Sequence, residues 1–291
     1  ARGQIIAEAT ALSNSLFVPT IRATDGTSGH TIDCAEQGVT LSSAHFINNV
    51  AFLGGALSAA RNGQNSFFSI TDSTFEGNVA YSRGGAMFLS GINRASRITM
   101  VLFYHNEASE GGAIALQESS GLQLQHINAV ANRAVLGSGG FLISKSASYL
   151  YFDNVTIVKS MAVGGGGGAL ALYATKGLFN TMTVMHCASN AIGGGGILLD
   201  QGSDAEIFDS TFMSNTAIQS PGGHIHVIAS SLVLHDIGSE IIWQRATPTF
   251  LISQRIKGTI GTTMSNGYSS ERGGSMSCQA AKSLSGVFNI L

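Results

Sequence analysis

The sequence predicts an all-β fold: a single-stranded right-handed parallel β-helix of about ten turns, each of 27–30 residues. Three observations predict it. A four-column motif returns at a nearly constant interval, each interval holds short segments of period-two hydrophobicity, and no stretch sustains a capped 3.6-residue pattern. One domain is expected over 1–291, with clear repeats over about 29–275 and terminal or capping segments at 1–28 and 276–291.

The motif reads most plainly in Phe75-Glu-Gly-Asn78-Val-Ala80, followed by Gly84-Gly85-Ala86 and an apolar run. Aligning on the second glycine gives Gly55, Gly85, Gly112, Gly140, Gly168, Gly196 and Gly223, with steps of 30, 27, 28, 28, 28 and 27. The first column runs Phe46, Phe75, Phe103, Ala129, Ile157, Val184, Phe212; three residues on come Asn49, Asn78, Asn106, Asn132, Ser160, Cys187, Asn215. Two further on stand Ala51, Ala80, Ala108, Ala134, Ala162, Ser189 and Ala217. Length varies between the Ala and Gly-Gly, which marks a loop. Gly29 suggests an earlier turn, and Gly273-Gly274, 51 residues after Gly223, implies a turn between them that has lost its markers.

Segments such as Ser69–Phe75 and Ala205–Phe212, and the runs after Gly-Gly, read as strands. A propeller blade needs ~40 residues or more, and leucine-rich repeats need their own signature. A parallel β-helix stacks like on like every ~4.8 Å, so each column holds a residue that tolerates its own copy above and below. Phe fills the core. Asn passes side-chain amide hydrogen bonds from turn to turn, so Asn49, Asn78, Asn106, Asn132, Cys187 and Asn215 are expected to line a structural ladder. Gly-Gly supplies backbone angles closed to other residues. The columns are scaffold and are not expected to be catalytic.

Composition narrows the function. With 37 Gly, 3 Pro, 11% charged residues and a net charge of -2, the chain offers no electrostatic case for nucleic acid or anionic lipid. No run approaches the ~18 apolar residues of a membrane helix. The chain starts at Ala1 without Met and reads as a mature or trimmed product. Asn154-Val155-Thr156 is a glycosylation sequon. Cys187 replaces Asn in the ladder and should be a buried thiol. Cys34 and Cys278 lie about nine turns, or ~40 Å, apart at the strand spacing. They are therefore too distant for a disulfide, which needs Cα atoms within ~7 Å.

The FxxNxA and GGA signatures together resemble the repeats of the chlamydial polymorphic outer membrane proteins, and similar repeats occur in surface β-helix proteins of other bacteria, algae and protists. The match covers about residues 29–275. The resemblance implies a surface-exposed passenger involved in adhesion and self-assembly, in the wider pectin-lyase-like superfamily, and an extracellular or cell-surface location. No C-terminal translocator barrel is recognisable, so the solenoid is carried over and the autotransporter is not.

Pectin lyases and polygalacturonases share this fold class, so an enzyme is the alternative. Gly222-Gly223-His224 and Arg255-Ile256-Lys257 loosely echo polygalacturonase strings. The paired carboxylates such hydrolysis needs are missing: Ala217 stands where the first acid would, and there is no Asp-Asp. Asp200, Asp204, Glu206 and Asp209 read as a solvated turn in preference to a Ca²⁺ site, because the known loop spacings are absent. The glycine runs Gly164–Gly168 and Gly193–Gly196 lack the Lys-Ser/Thr of a phosphate loop. His224 and His226 fall on one side of one strand, the spacing of a two-point metal grip, though no third ligand is evident; two exposed histidines are the favoured reading. No cofactor is implied. A carbohydrate-binding module is a third class, whose sign would be exposed aromatic platforms; Tyr numbers six and Trp243 stands alone.

The strand after Gly-Gly supplies the last expectation. If Leu57, Met87, Ile114, Leu142, Leu170, Leu198 and Ile225 point inward, alternation turns Phe88, Phe141, Ile143, Ile197 and Leu199 outward. That apolar stripe would pack against protein partners or copies of the chain. Two other outcomes stay open: the columns are reversed, or a loop of the same chain covers the face.

Overall fold

Each turn of the chain crosses three sheets in the same order, and successive turns stack in parallel. In the turn beginning at Leu122, Leu122–Val130 lies in sheet A, Arg133–Ala134 in sheet C and Leu142–Lys145 in sheet B; Leu150–Val158 then re-enters sheet A. The computed structural model describes residues 39–60, 68–92, 95–218 and 222–235, with short strand segments at 4–7, 30–31, 249–252, 256–257, 268–269 and 275–278. Sheets A, B and C contain 14, 10 and 8 strands. The architecture is a right-handed parallel β-solenoid with no helix among the described residues. About six complete turns are described, from Asn49 to Asn215, where the sequence suggested about ten. At the N-terminal edge, Gln4–Ala7 pairs antiparallel with Ala44–Ile47.

The corners explain the repeat. Each turn bends where one residue takes a positive φ: His126 (53°), Ala131 (55°), Gly139 (73°) and Ser146 (59°) in the turn described above. Such angles cost an L-residue about 1–2 kcal/mol. At the Asn and Ser/Thr corners the residue after the bend faces inward, and its backbone N–H has no strand partner. A side-chain oxygen one turn on accepts that bond. Asn49 N–H donates to Asn78 Oδ1 (3.0 Å), Ala44 N–H to Ser73 Oγ (3.1 Å), and Ser203 N–H to Ser230 Oγ (3.1 Å). Ladders of Asn and of Ser/Thr therefore run along different corners. The sequence reading found only the Asn ladder, although Ser119, Thr175, Ser203 and Ser230 recur near the same interval.

The glycine corner has a steric cause. A Cβ on Gly139 would lie 2.4 Å from Leu142 O, and one on Gly140 would lie 2.1 Å from Gly168 O. Here chain meets chain at backbone distance. The same contact corrects the alignment: Gly195, and not Gly196, stacks between Gly168 and Gly223, since Cβ atoms there would meet Gly195 O at 2.2 Å and Gly223 O at 2.4 Å. Ile197 is accordingly in register with Leu170 and Ile225.

The core is one apolar column bounded by the three sheets. Phe46, Phe75 and Phe103 stack with ring centroids 4.6 and 5.2 Å apart. At the next turn the column narrows to Ala129, and Phe141 fills the space from the opposite wall, 5.5 Å from the Phe103 ring. In neighbouring turns the position of Phe141 is occupied by Ala113 and Ala169. A close-packed interior demands this exchange of volume.

Candidate functional surfaces

The stripe expected outside sheet B is not a free surface. Phe141, Ile197 and Leu199 are fully buried in the main core. Alternation failed as a guide at the corner, where two consecutive residues face inward. Ala86 and Met87 both donate their N–H to Ala113 O, as Gly196 and Ile197 do to His224 O. For Ile197 and Leu199 the one-residue slip at Gly195 adds to this. Phe88 and Ile143 do face outward, with Ala115, Ala171 and Leu198, and form a second buried cluster. The chain covers it. The loop before Gly-Gly passes close enough that a Cβ on Gly111 would lie 2.7 Å from Ile143 Cγ2, and one on Gly166 would lie 2.9 Å from Leu198 Cδ2. Polar side chains tie that loop to the far end of the sheet B strands. Glu110 accepts from Arg83 Nε (3.0 Å) and Lys145 Nζ (2.7 Å), Arg83 reaches Gln117 (2.8 Å), and Tyr173 donates its hydroxyl to Ser138 (2.8 Å). The outer apolar strip is thus a satellite core beneath its own clasp.

The two histidines separate for the same reason. His224 precedes the strand Ile225–Val227 and lies inside the main core, its Nδ1 3.1 Å from Asn215 Nδ2 and its ring 6.2 Å from that of Phe212. His226 lies on the other side of sheet B, beside Leu198 in register, and is 7% exposed. The expected pair of exposed histidines is therefore two buried ones that do not share a side, and no metal grip forms. Burial lowers the His226 imidazole to about 4. The folded protein holds it neutral, so its contribution is complete above the unfolded value near 6.5 and is lost as pH falls from there toward 4. That loss amounts to about 3 kcal/mol. His226→Leu should remove this part of the acid sensitivity: the urea midpoint of the variant relative to wild type should shift in the variant's favour between pH 7.5 and pH 4.5. An equal difference at both pH values would contradict the assignment.

Asn49, Asn78, Asn106, Asn132 and Asn215 are buried as a ladder, with Nδ2 of Asn78 and Asn106 each donating to the next Oδ1. The ladder is interrupted at Ser160, whose buried Oγ makes no hydrogen bond, and at Cys187. The Cys187 thiol, pushed up to about 12 by burial, is inert at neutral pH. Cys34 and the side chain of Cys278 lie outside the described residues, as do Trp243 and Arg255. Asn154 is exposed at a sheet A corner with φ 52°, and its Nδ2 lies 2.8 Å from His126 Nδ1. Among the described residues no group of three His, Cys, Asp or Glu could hold a metal ion, and no helix is long and apolar enough to cross a membrane.

No family model, curated protein or solved structure matches the chain. Function is therefore read from its surfaces.

Sequence reasoning missed the surface that is apolar and uncovered. On sheet C and its following loop, Phe52, Tyr81 and Leu136 are 53%, 67% and 73% exposed, and Ile192 and Ile218 continue the strip. Val135 and Val163, partly buried, hold the same column, and Ser109 and Asn190 hold it on two other turns. The signal was present: Phe52, Tyr81, Val135, Val163 and Ile218 each follow the Ala column directly. The Arg133–Glu107 ion pair crosses this face between neighbouring turns at 3.1 Å.

Proposed function

We propose that the chain is a structural, adhesive β-helix module that packs into a larger assembly at the cell surface or outside the cell. The exposed apolar strip on sheet C carries this reading. Large apolar side chains left this exposed on one face mark a contact surface more often than a bare one. The low charge of the chain and the resemblance of its repeats to those of surface passengers support it. The occupant of the strip is a second copy of the chain, since a face that repeats from turn to turn offers a copy of itself the same contacts at successive turns.

Sedimentation velocity across a concentration series tests the proposal. Wild type should associate as concentration rises, and Tyr81→Asp with Leu136→Asp should weaken association at least tenfold, about 1.4 kcal/mol, while circular dichroism stays unchanged. Both residues point away from the core, so the variant should fold. A wild type that sediments as a monomer throughout, or a variant that associates as strongly, would overturn it.

A further inference from the structure

We infer that the second copy packs on sheet C with its turns in reverse order, giving a closed two-fold dimer whose axis passes between the levels of Glu107 and Arg133. This rests on the self-packing reading above and adds the orientation. Turns are counted from the one that begins at Val39 in sheet A. Charge is divided along the face. Among the described residues, its charged side chains are Glu107 on the third turn and Arg133 on the fourth, 41% and 48% exposed, with exposed Glu76 and Lys159 at the rim beside sheet A on the second and fifth. Arg83 and Glu110, at the far end of the sheet C strands, are drawn into the clasp with Lys145. The face is therefore acidic on turns two and three and basic on turns four and five.

Two orientations let one such face cover another. A two-fold axis along the solenoid lays each turn on its own counterpart, so acidic turns meet acidic turns and basic meet basic, which repel. A two-fold axis along the strands reverses the order. Placed between the third and fourth turns, it lays turn three on four, two on five and one on six. Glu107 of each copy then faces Arg133 of the other, and with the pair inside each chain they complete a ring of four alternating charges. Glu76 approaches Lys159, while the exposed corner histidines His105 and His186 fall near Ala131 and Asn48, neither of which ionises. Side-chain size agrees. The outward residues after the Ala column on turns one to six are Phe52, Tyr81, Ser109, Val135, Val163 and Asn190. Reversal sets Phe52 against Asn190, Tyr81 against Val163, and Ser109 against Val135 and the projecting Leu136, so each larger side chain meets a smaller one. Matching turns would instead bring the two Phe52 turns together and the two Ser109 turns together. A contact of this isologous kind is used up within the pair, so growth beyond a dimer has to use other surfaces.

Charge variants and cross-linking of the full chain test the orientation. Glu107→Arg and Arg133→Glu should each keep the wild-type circular dichroism and lose self-association at least tenfold in sedimentation velocity, since each sets like charges across the axis. Mixed in equal amounts, the two should associate within threefold of wild type, because every facing pair is again opposite in sign. Val50 and Ala188 hold one outward column of sheet C on turns one and six. In a Cys34→Ser/Cys278→Ser background, a bismaleimide of about 10 Å reach, the spacing of packed sheets, should join Val50→Cys to Ala188→Cys when the two are mixed. Val50→Cys alone should stay unjoined, its two copies lying five turns, or ~24 Å, apart along the solenoid. Wild type that associates while Val50→Cys joins to itself, or while the single charge variants associate as strongly, would overturn the reversed orientation and leave the assembly reading standing. A wild type that stays monomeric would overturn both.

Discussion

Gly140→Ala is expected to prevent the native solenoid from forming. The added Cβ would lie 2.1 Å from Gly168 O, 2.5 Å from Met161 N and 2.7 Å from Met161 C. These are backbone atoms of the next turn, and they cannot step aside as a flexible side chain would. The turns are tied at this place by Gly140 N–H to Gly167 O (3.1 Å) and Met161 N–H to Asn132 O (2.9 Å), so separating them breaks the hydrogen bonds that stack the coil. A loss above about 4 kcal/mol follows, at the severe end of single substitutions. Circular dichroism and urea titration measure it; a melting temperature within a few degrees of wild type would refute the steric argument. Gly202→Ala is the control. It also has a positive φ (77°) but has nothing within 4 Å of the new Cβ, so it should cost only the left-handed conformation, about 1–2 kcal/mol.

Asn106→Ala should cost about 3–6 kcal/mol, because it orphans several buried groups at once. Asn106 Oδ1 accepts from Asn78 N–H (3.1 Å) and Asn78 Nδ2 (2.9 Å); its own Nδ2 donates to Phe75 O (2.9 Å) and Asn132 Oδ1 (3.0 Å). Asn106→Asp keeps the shape and both acceptor bonds, yet an ionised carboxylate cannot donate to Phe75 O or Asn132 Oδ1. Burial holds that carboxyl above its unfolded value, so the folded state binds the extra proton and stability returns as pH falls. At neutral pH the Asp variant should therefore be at least as unstable as the Ala variant. On acidification it should overtake it. Comparing the two variants cancels the contribution of His226, common to both, and urea midpoints at several pH values would show the crossover; parallel curves would mean that the donor bonds of Asn106 contribute little.

The legibility of this molecule was uneven for a physical reason. Parallel stacking places each residue on its counterpart one turn away, so whatever a corner or wall requires is written again about 28 residues later. The period, the parallel solenoid, the Asn ladder, the buried Cys187 and the glycine corner follow from that rule alone. The serine ladder obeys it too, but Ser and Thr are common on exposed strands, and its members were hidden among them.

What the period could not decide was which way a side chain faces across a corner, and what lies on the opposite wall. Alternation holds only within an extended segment, and each left-handed residue resets it. Phe141 therefore turned inward, and His224 and His226 parted to different sides of sheet B. Within the run Gly193–Gly196 any neighbouring pair satisfies the motif; only contact with Gly168 and Gly223 selected Gly195 and so placed Ile197 and Leu199 in the core. Phe141 answers Ala129 across the interior, and the loop over Ile143 covers what the strand pattern left bare. Such exchanges of volume between facing walls obey no fixed sequence spacing, so packing in three dimensions settled them.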